Sequence, residues 1–219
     1  MTSALDEIIR SPRFPGYVED LQRLLTEERQ RRERFYEEID EDVTAEFING
    51  EVIVQSPATY EHVSTTKFLL LLLHAHVESR QLGFVGSEKL LVTFPRNDYE
   101  PDVCFWRAAK SAAFQRGQLK FPPPDFIAEV LSPTTERIDR GVKFEDYAAN
   151  GVAEYWLVDP KLEQVQQHFL REGRFELRAT LGSGNIRSVV IEGFDVPVRA
   201  LFDSQVNLRV LGQLAQPRV

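Results

Sequence analysis

Two short apolar stretches decide the fold: Pro101-Asp102-Val103-Cys104-Phe105-Trp106 and Phe126-Ile127-Ala128-Glu129-Val130-Leu131. Each has the length and the β-branched and aromatic content of a buried strand, bounded by proline, aspartate or serine. Each also carries one acid where an apolar residue is expected. Period-two alternation puts Glu129 on the same face as Ile127 and Leu131. An ionised carboxylate there costs several kcal/mol in order of magnitude unless it is paired or metal-bound.

The flanking sequence alternates strand and helix signals. Upstream, Ala45-Glu46-Phe47-Ile48 and Glu51-Val52-Ile53-Val54 surround Asn49-Gly50, a pair suited to the positive φ angles of a two-residue hairpin turn. Glu61 to Arg80 is apolar on several sides and predicts a helix buried between layers, with Gly83 beyond its end. Phe84 to Phe94 reads as a further strand, and Arg107 to Pro124 as a long connection, a flap or a small helix. Downstream, Glu136 to Asn150 predicts a polar helix stopped by Gly151, and Glu154 to Asp159 a buried strand ending at Pro160. Gln164 to Leu170, Arg174 to Leu181 and Ile186 to Ile191 then read as an antiparallel meander turning through Gly182-Ser183-Gly184-Asn185. Residues 18 to 38 predict an amphipathic helix whose charged part, residues 26 to 34, reads as a solvated face. The expected organisation is a leader over 1–40, one α/β domain over 41–203 and a tail over 204–219.

Composition bounds the function. The chain has 219 residues, 42% hydrophobic and 27% charged, enough for one large globular domain. Its net charge of −8 argues against a broad basic surface that coats nucleic acid, although a local basic groove is compatible with it. The apolar run Phe68 to Leu73 is far too short to span a bilayer, and the first residues lack export-signal features, so a cytoplasmic location is expected.

Elimination removes several chemistries. One cysteine, Cys104, rules out a thiolate zinc site, and His74 and His76, two apart on a helix, point to different faces. The sequence contains neither a phosphate-binding Gly-x-x-x-x-Gly-Lys-Ser/Thr nor a Gly-x-Ser-x-Gly elbow. The carboxylates remain. If the two acid-bearing strands are neighbours, Asp102 and Glu129 at about 5 Å repel by roughly 3 kcal/mol at an effective dielectric of 20. A divalent cation reverses that sign, and oxygen ligands with open water positions suit Mg²⁺ or Mn²⁺ in contact with a substrate phosphate. Lys143 lies on the next helix, with Asp139 one turn before it and Tyr147 one turn after.

The order of these residues resembles the PD-(D/E)XK nuclease superfamily. More specifically, Ala45 to Glu51, Ser56-Pro57 with His62, Glu100-Pro101-Asp102-Val103, Glu129 to Thr135, Asp139-Arg140-Gly141 with Lys143, and Gly151 to Pro160 resemble the restriction-endonuclease family abundant in cyanobacteria, over roughly residues 35 to 203. That resemblance implies a restriction-endonuclease-like mixed sheet flanked by helices, with the N-terminal hairpin and C-terminal meander as additions. It implies metal-dependent hydrolysis of DNA phosphodiester bonds, with Asp102 and Glu129 as metal-binding acids and Mg²⁺ or Mn²⁺ as cofactor. The strand lacks its usual lysine, since Leu131 stands two residues after Glu129; Lys143 is similar to the displaced lysine of this family. Glu51, His62 and Tyr147 are accessory candidates, and a homodimer on DNA is the expected assembly. The rival expectation is a nuclease-derived binding module that holds nucleic acid or protein without cleaving it.

Overall fold

A computed structural model describes residues 4–39 and 43–215. In chain order the elements are helices α1 (Ala4–Arg10) and α2 (Phe14–Glu38), hairpin strands β1 (Ala45–Ile48) and β2 (Glu51–Val54), and helix α3 (Tyr60–Glu78). Strands β3 (Gly83–Ser87), β4 (Leu91–Thr93), β5 (Asp98–Tyr99) and β6 (Val103–Arg107) follow, then α4 (Ala108–Ser111), β7 (Lys120–Phe121) and β8 (Phe126–Val130). Next come α5 (Glu136–Asp139), α6 (Val142–Ala149), β9 (Glu154–Asp159), β10 (Gln164–Arg171) and β11 (Arg174–Leu181). Strands β12 (Asn185–Arg187) and β13 (Asp195–Pro197), a 3-10 turn (Val198–Leu201) and helix α7 (Ser204–Leu214) complete the chain.

The central sheet has six strands in the order β11-β10-β9-β8-β6-β3, with β8 and β9 parallel and the other neighbours antiparallel. A second sheet has the order β2-β1-β5-β4-β7. The central strands are buried on both faces, and their alternation divides the core. Val103, Phe105, Phe126, Ala128, Val130, Trp156 and Val158 face one apolar cluster with Leu69, Leu72, Leu73 and Val77 of α3. Cys104, Trp106, Ile127, Leu131, Tyr155 and Leu157 face another, with Tyr147 of α6 and Val92 and Tyr99 of the second sheet. Glu129 falls on this second side, between Ile127 and Leu131.

The hairpin turns through Asn49 and Gly50 at φ 52° and 86°, as the Asn-Gly pair predicts. Several boundaries differ from the sequence reading. The stretch 84–94 is two strands in two sheets, parted at a turn in which Lys89 adopts φ 62°. The helix expected over 136–150 breaks at Gly141. A Cβ there would lie 2.7 Å from the Arg137 carbonyl oxygen, so only glycine lets the chain turn this tightly. Residues 186–191 do not extend the meander; β12 pairs with β13 in a separate two-stranded sheet. The stretch expected as a tail holds α7, capped by the Asp203 carboxylate and tied to α3 through Asn207, which donates to the Phe68 carbonyl. Helix α3 covers the first core and keeps an exposed side at Val63 and Leu71. Within the long connection 107–124, α4 and β7 form, and β7 pairs in parallel with β4.

Candidate active site

The site begins with one register. Strand β6 pairs with β8 as Val103↔Ala128, and extending that antiparallel register by one residue sets Asp102 opposite Glu129 on the same face. Side chains complete the ladder here. The Asp102 amide donates to Glu129 Oε2 at 3.2 Å, and the Val130 amide donates to Asp102 Oδ2 at 2.6 Å.

Lys143 reaches the pair from the first turn of α6. Its Nζ stands 3.1 Å from Glu129 Oε1, 2.9 Å from Glu46 Oε1 and 3.4 Å from Asp139 Oδ1. Tyr147, one turn further on, donates to Glu129 Oε1 at 2.8 Å. Glu46 belongs to β1 and Glu129 to β8, so one buried ammonium joins carboxylates from both sheets. Glu46 Oε1 also accepts the Glu100 amide at 3.0 Å, which fixes the segment leading to Asp102.

Burial dominates the electrostatics. It raises the pKa of Glu129, Glu46 and Asp139, against the opposing pull of Lys143. For Lys143 burial acts downward, but Glu129, Glu46 and Asp139 outweigh it and hold the ammonium well above its ordinary value. Burial, then repulsion from Glu46, pushes Glu100 up to about 7. Burial and then Glu129 raise the Cys104 thiol, so it is an inert packing residue.

A cleft of about 410 Å³ opens beside this cluster, between the segment 54–58 and the acids Glu88, Glu100 and Asp102. His62 lines it from the first turn of α3, where Thr59 caps the helix by accepting the His62 amide. His62 Nε2 is 3.1 Å from Asp102 Oδ1. Burial alone would lower the His62 pKa; the Asp102 contact, helped by Glu88, raises it overall.

The structure therefore brings together Asp102, Glu129, Lys143, Tyr147 and His62. It does not bring Glu51 with them: β2 is an edge strand, and Glu51 stands exposed beside the turn, lining neither cluster nor cleft. The acid that the hairpin contributes is Glu46. Its sequence signal is the one that marks Glu129, a carboxylate inside an apolar strand, here between Ala45 and Phe47. Glu100 and Asp139 join through their proximity to Asp102 and Lys143, and Glu88 carries no sequence signal.

A mixed sheet with two acids meeting at adjacent strand ends and a lysine behind them defines a restriction-endonuclease-like fold. The family model described as "Uma2: Putative restriction endonuclease" matches residues 28–199, and the chain belongs to that family. The chain is 31% identical over 132 residues to the uncharacterized protein sll1609 of Synechocystis sp., spanning 59% of this chain and 73% of that protein. A crystal structure described as "a putative nuclease belonging to DUF820" from Anabaena variabilis ATCC 29413 superposes with a TM-score of 0.66 at 17% identity. It covers 77% of this chain and 94% of its own.

Proposed function

We propose that this protein is a divalent-metal-dependent endonuclease hydrolysing phosphodiester bonds in DNA, with Asp102 and Glu129 as metal-binding acids and Lys143 as the charge-balancing cation. The observation that carries the reading is the joined geometry of Asp102, Glu129 and Lys143, with Asp102 lining the cleft and Glu129 and Lys143 buried behind it.

The residues present suit a hard divalent cation. Glu46, Glu129 and Asp139 surround the buried Lys143 ammonium, Glu100 and Asp102 adjoin that cluster, and Glu100 Oε2 is buried with no hydrogen-bond partner among the described residues. Such an excess of carboxylate is stabilised by added positive charge. A bound Mg²⁺ or Mn²⁺ would polarise a phosphoryl oxygen and lower the pKa of a water for attack. The protein's own residues prepare that chemistry. Val130 N–H fixes one oxygen of Asp102 and leaves the other toward the cleft, while Tyr147 and Lys143 orient Glu129 and favour its ionised form. Lys143, 3% exposed and enclosed by carboxylates, acts as a fixed counter-charge.

A second reading, an inactive binding module, draws on the same network: Glu129 already accepts from Asp102, Lys143 and Tyr147, as a closed structural cluster would. Nicking of supercoiled plasmid at low salt in Mg²⁺, Mn²⁺ or EDTA separates the two. Metal-dependent nicking, reduced 100-fold or more in Asp102→Asn and Glu129→Gln, is expected. Linear product formed without a nicked intermediate would support the homodimer expected of a double-strand cutter. Equal nicking by all three proteins identifies a contaminant and overturns the enzyme; no nicking with DNA binding retained establishes the module.

A further inference from the structure

We infer that His62 and Glu88 join Asp102 in a cation site on the open side of the cleft, and that this donor set takes Mn²⁺ or a similar imidazole-accepting ion in preference to Mg²⁺. The inference rests on the reading of Asp102 as a metal-binding acid and goes beyond the pair Asp102 and Glu129.

Three separate elements supply the donors: His62 from the start of α3, Glu88 from the turn between β3 and β4, and Asp102 from the link before β6. One ligand atom from each lies within 4.8 Å of the other two. Two metal–ligand bonds of about 2.1–2.2 Å span nearly that distance, so small side-chain adjustments close the set. Further observations at the same place point to a ligand. Among the described residues His62 Nδ1 and Glu100 Oε2 are both buried without a hydrogen-bond partner, and both residues line this cleft. Glu100 is only 6% exposed, and leaving its ionised oxygen unpaired above neutral pH is costly unless a cation or its water meets it. A plain His62–Asp102 ion pair accounts for their 3.1 Å contact, but not for Glu88 or for the orphaned Glu100 oxygen.

Donor chemistry then sets the ion. Mg²⁺ prefers oxygen ligands and retains its waters, whereas imidazole nitrogen is a better ligand for Mn²⁺ and later divalent ions. Three protein donors leave coordination positions open toward the cleft for water or a phosphate oxygen. Glu129 lies behind Asp102, against the Asp102 amide, so Asp102 is the residue common to both sets.

The test is calorimetric titration of the full chain with Mn²⁺ or Mg²⁺ alone, with pulsed electron paramagnetic resonance of the Mn²⁺ complex. One Mn²⁺ should bind at least tenfold more tightly than Mg²⁺, with nitrogen coupling in the spectrum. Glu88→Gln, an exposed substitution that spares the fold, should weaken Mn²⁺ binding tenfold or more. His62→Gln should remove the nitrogen coupling. Unchanged affinity in Glu88→Gln, absence of nitrogen coupling, or absence of Mn²⁺ binding overturns the inference. Plasmid nicking read in parallel keeps the parent reading separate: metal-dependent cleavage that needs Asp102 and Glu129 but neither Glu88 nor His62 leaves the nuclease standing without this site.

Discussion

Glu129 and Glu154 sit on neighbouring buried strands in opposite environments. Glu154 accepts from Trp156 Nε1, Gln167 Nε2, Ser188 Oγ and the amides of Val189 and Val190, and so locks the 188–190 segment onto β9. Glu129 shares its acceptors with an ammonium ringed by further acids, and that surplus of acid reaches Glu100, whose pKa is pushed up to about 7 by burial and by Glu46. The consequence for stability has a definite sign. The folded protein holds a proton on Glu100 that the unfolded chain releases near 4.5, so between about 4.5 and 7 the native state binds more protons and stability falls as pH rises. Glu100→Gln removes this contribution: its melting temperature in EDTA should vary less with pH across that window and exceed the parent's above pH 7. Parallel melting curves would mean that Glu100 stays ionised throughout. From sequence Glu129 is singled out while Glu46 and Glu154, which also stand in apolar strands, are passed over, because alternation reports the face a residue occupies and not how many donors await it there. Only the fold separates the structural lock at Glu154 from the charged cluster.

At the scale of elements, the hairpin, α3, β6, β8 and β9 were legible because each has its own periodicity or turn chemistry, and α6 was legible as part of one longer helix. That β6 and β8 are neighbours was only a condition in the sequence, and the fold supplies their register. What the sequence leaves open is the partition of strands between sheets. One residue of positive φ, Lys89, sends β4 into a different sheet from β3, and lysine is not a residue that announces such a turn. Gly141 is the counterpart on the helical side. It ends α5 and re-aims the chain so that Lys143, two residues later, points into the carboxylates. Gly141→Ala places a methyl group 2.7 Å from the Arg137 carbonyl oxygen, which is backbone on both sides and cannot swing away. The expected cost is about 1–3 kcal/mol, or roughly 3–10 °C in Tm for a chain of this size. Because the shift falls at the base of α6, plasmid nicking at a temperature where the variant is fully folded should also drop. A variant that melts early but nicks normally when folded would show that the lysine position survives the strain.

Across the whole molecule, the two sheets share an apolar cluster and Phe35 seats the leading helix on Ala45, Phe47 and Leu91, while a few concentrated charged contacts fix the helix alongside that packing. The densely charged stretch 26–34 reads as a solvated helix face, yet it carries the anchors of α2. Arg32 forks onto Asp98 with two contacts of 2.6 Å and also donates to the carbonyls of Phe94, Pro95 and Asn97. Tyr36 donates to the same carboxylate, Arg31 donates to the Gly50 carbonyl, and Glu28 pairs with Arg96. Charge pattern alone cannot separate these residues from their solvated neighbours, since the partners of Glu28, Arg32 and Tyr36 lie more than 60 residues away on loops or a two-residue strand, and that of Arg31 is a backbone carbonyl at the hairpin turn. The family match begins at Glu28, where the anchoring begins, while Leu21, Leu24 and Leu25 before it remain exposed. Arg32 therefore makes the densest set of polar contacts that α2 has with the second sheet, beside the apolar packing of Phe35. Arg32→Ala leaves Asp98, whose side chain is fully buried, with Tyr36 as its remaining side-chain donor, and uncompensated buried charge costs about 3–5 kcal/mol. Part of that loss is recovered if α2 detaches and water reaches Asp98. Limited proteolysis should then cut within residues 14–38 at least tenfold faster in Arg32→Ala than in the parent, leaving a resistant core that begins near β1. Arg32→Lys should fall between the two, because an ammonium keeps the charge but cannot make both contacts of the fork. Equal protection in all three proteins would place the anchor of α2 in the Glu28–Arg96 pair or in the packing of Phe35 on Phe47 instead, and Glu28→Gln and Phe35→Ala would tell those two apart.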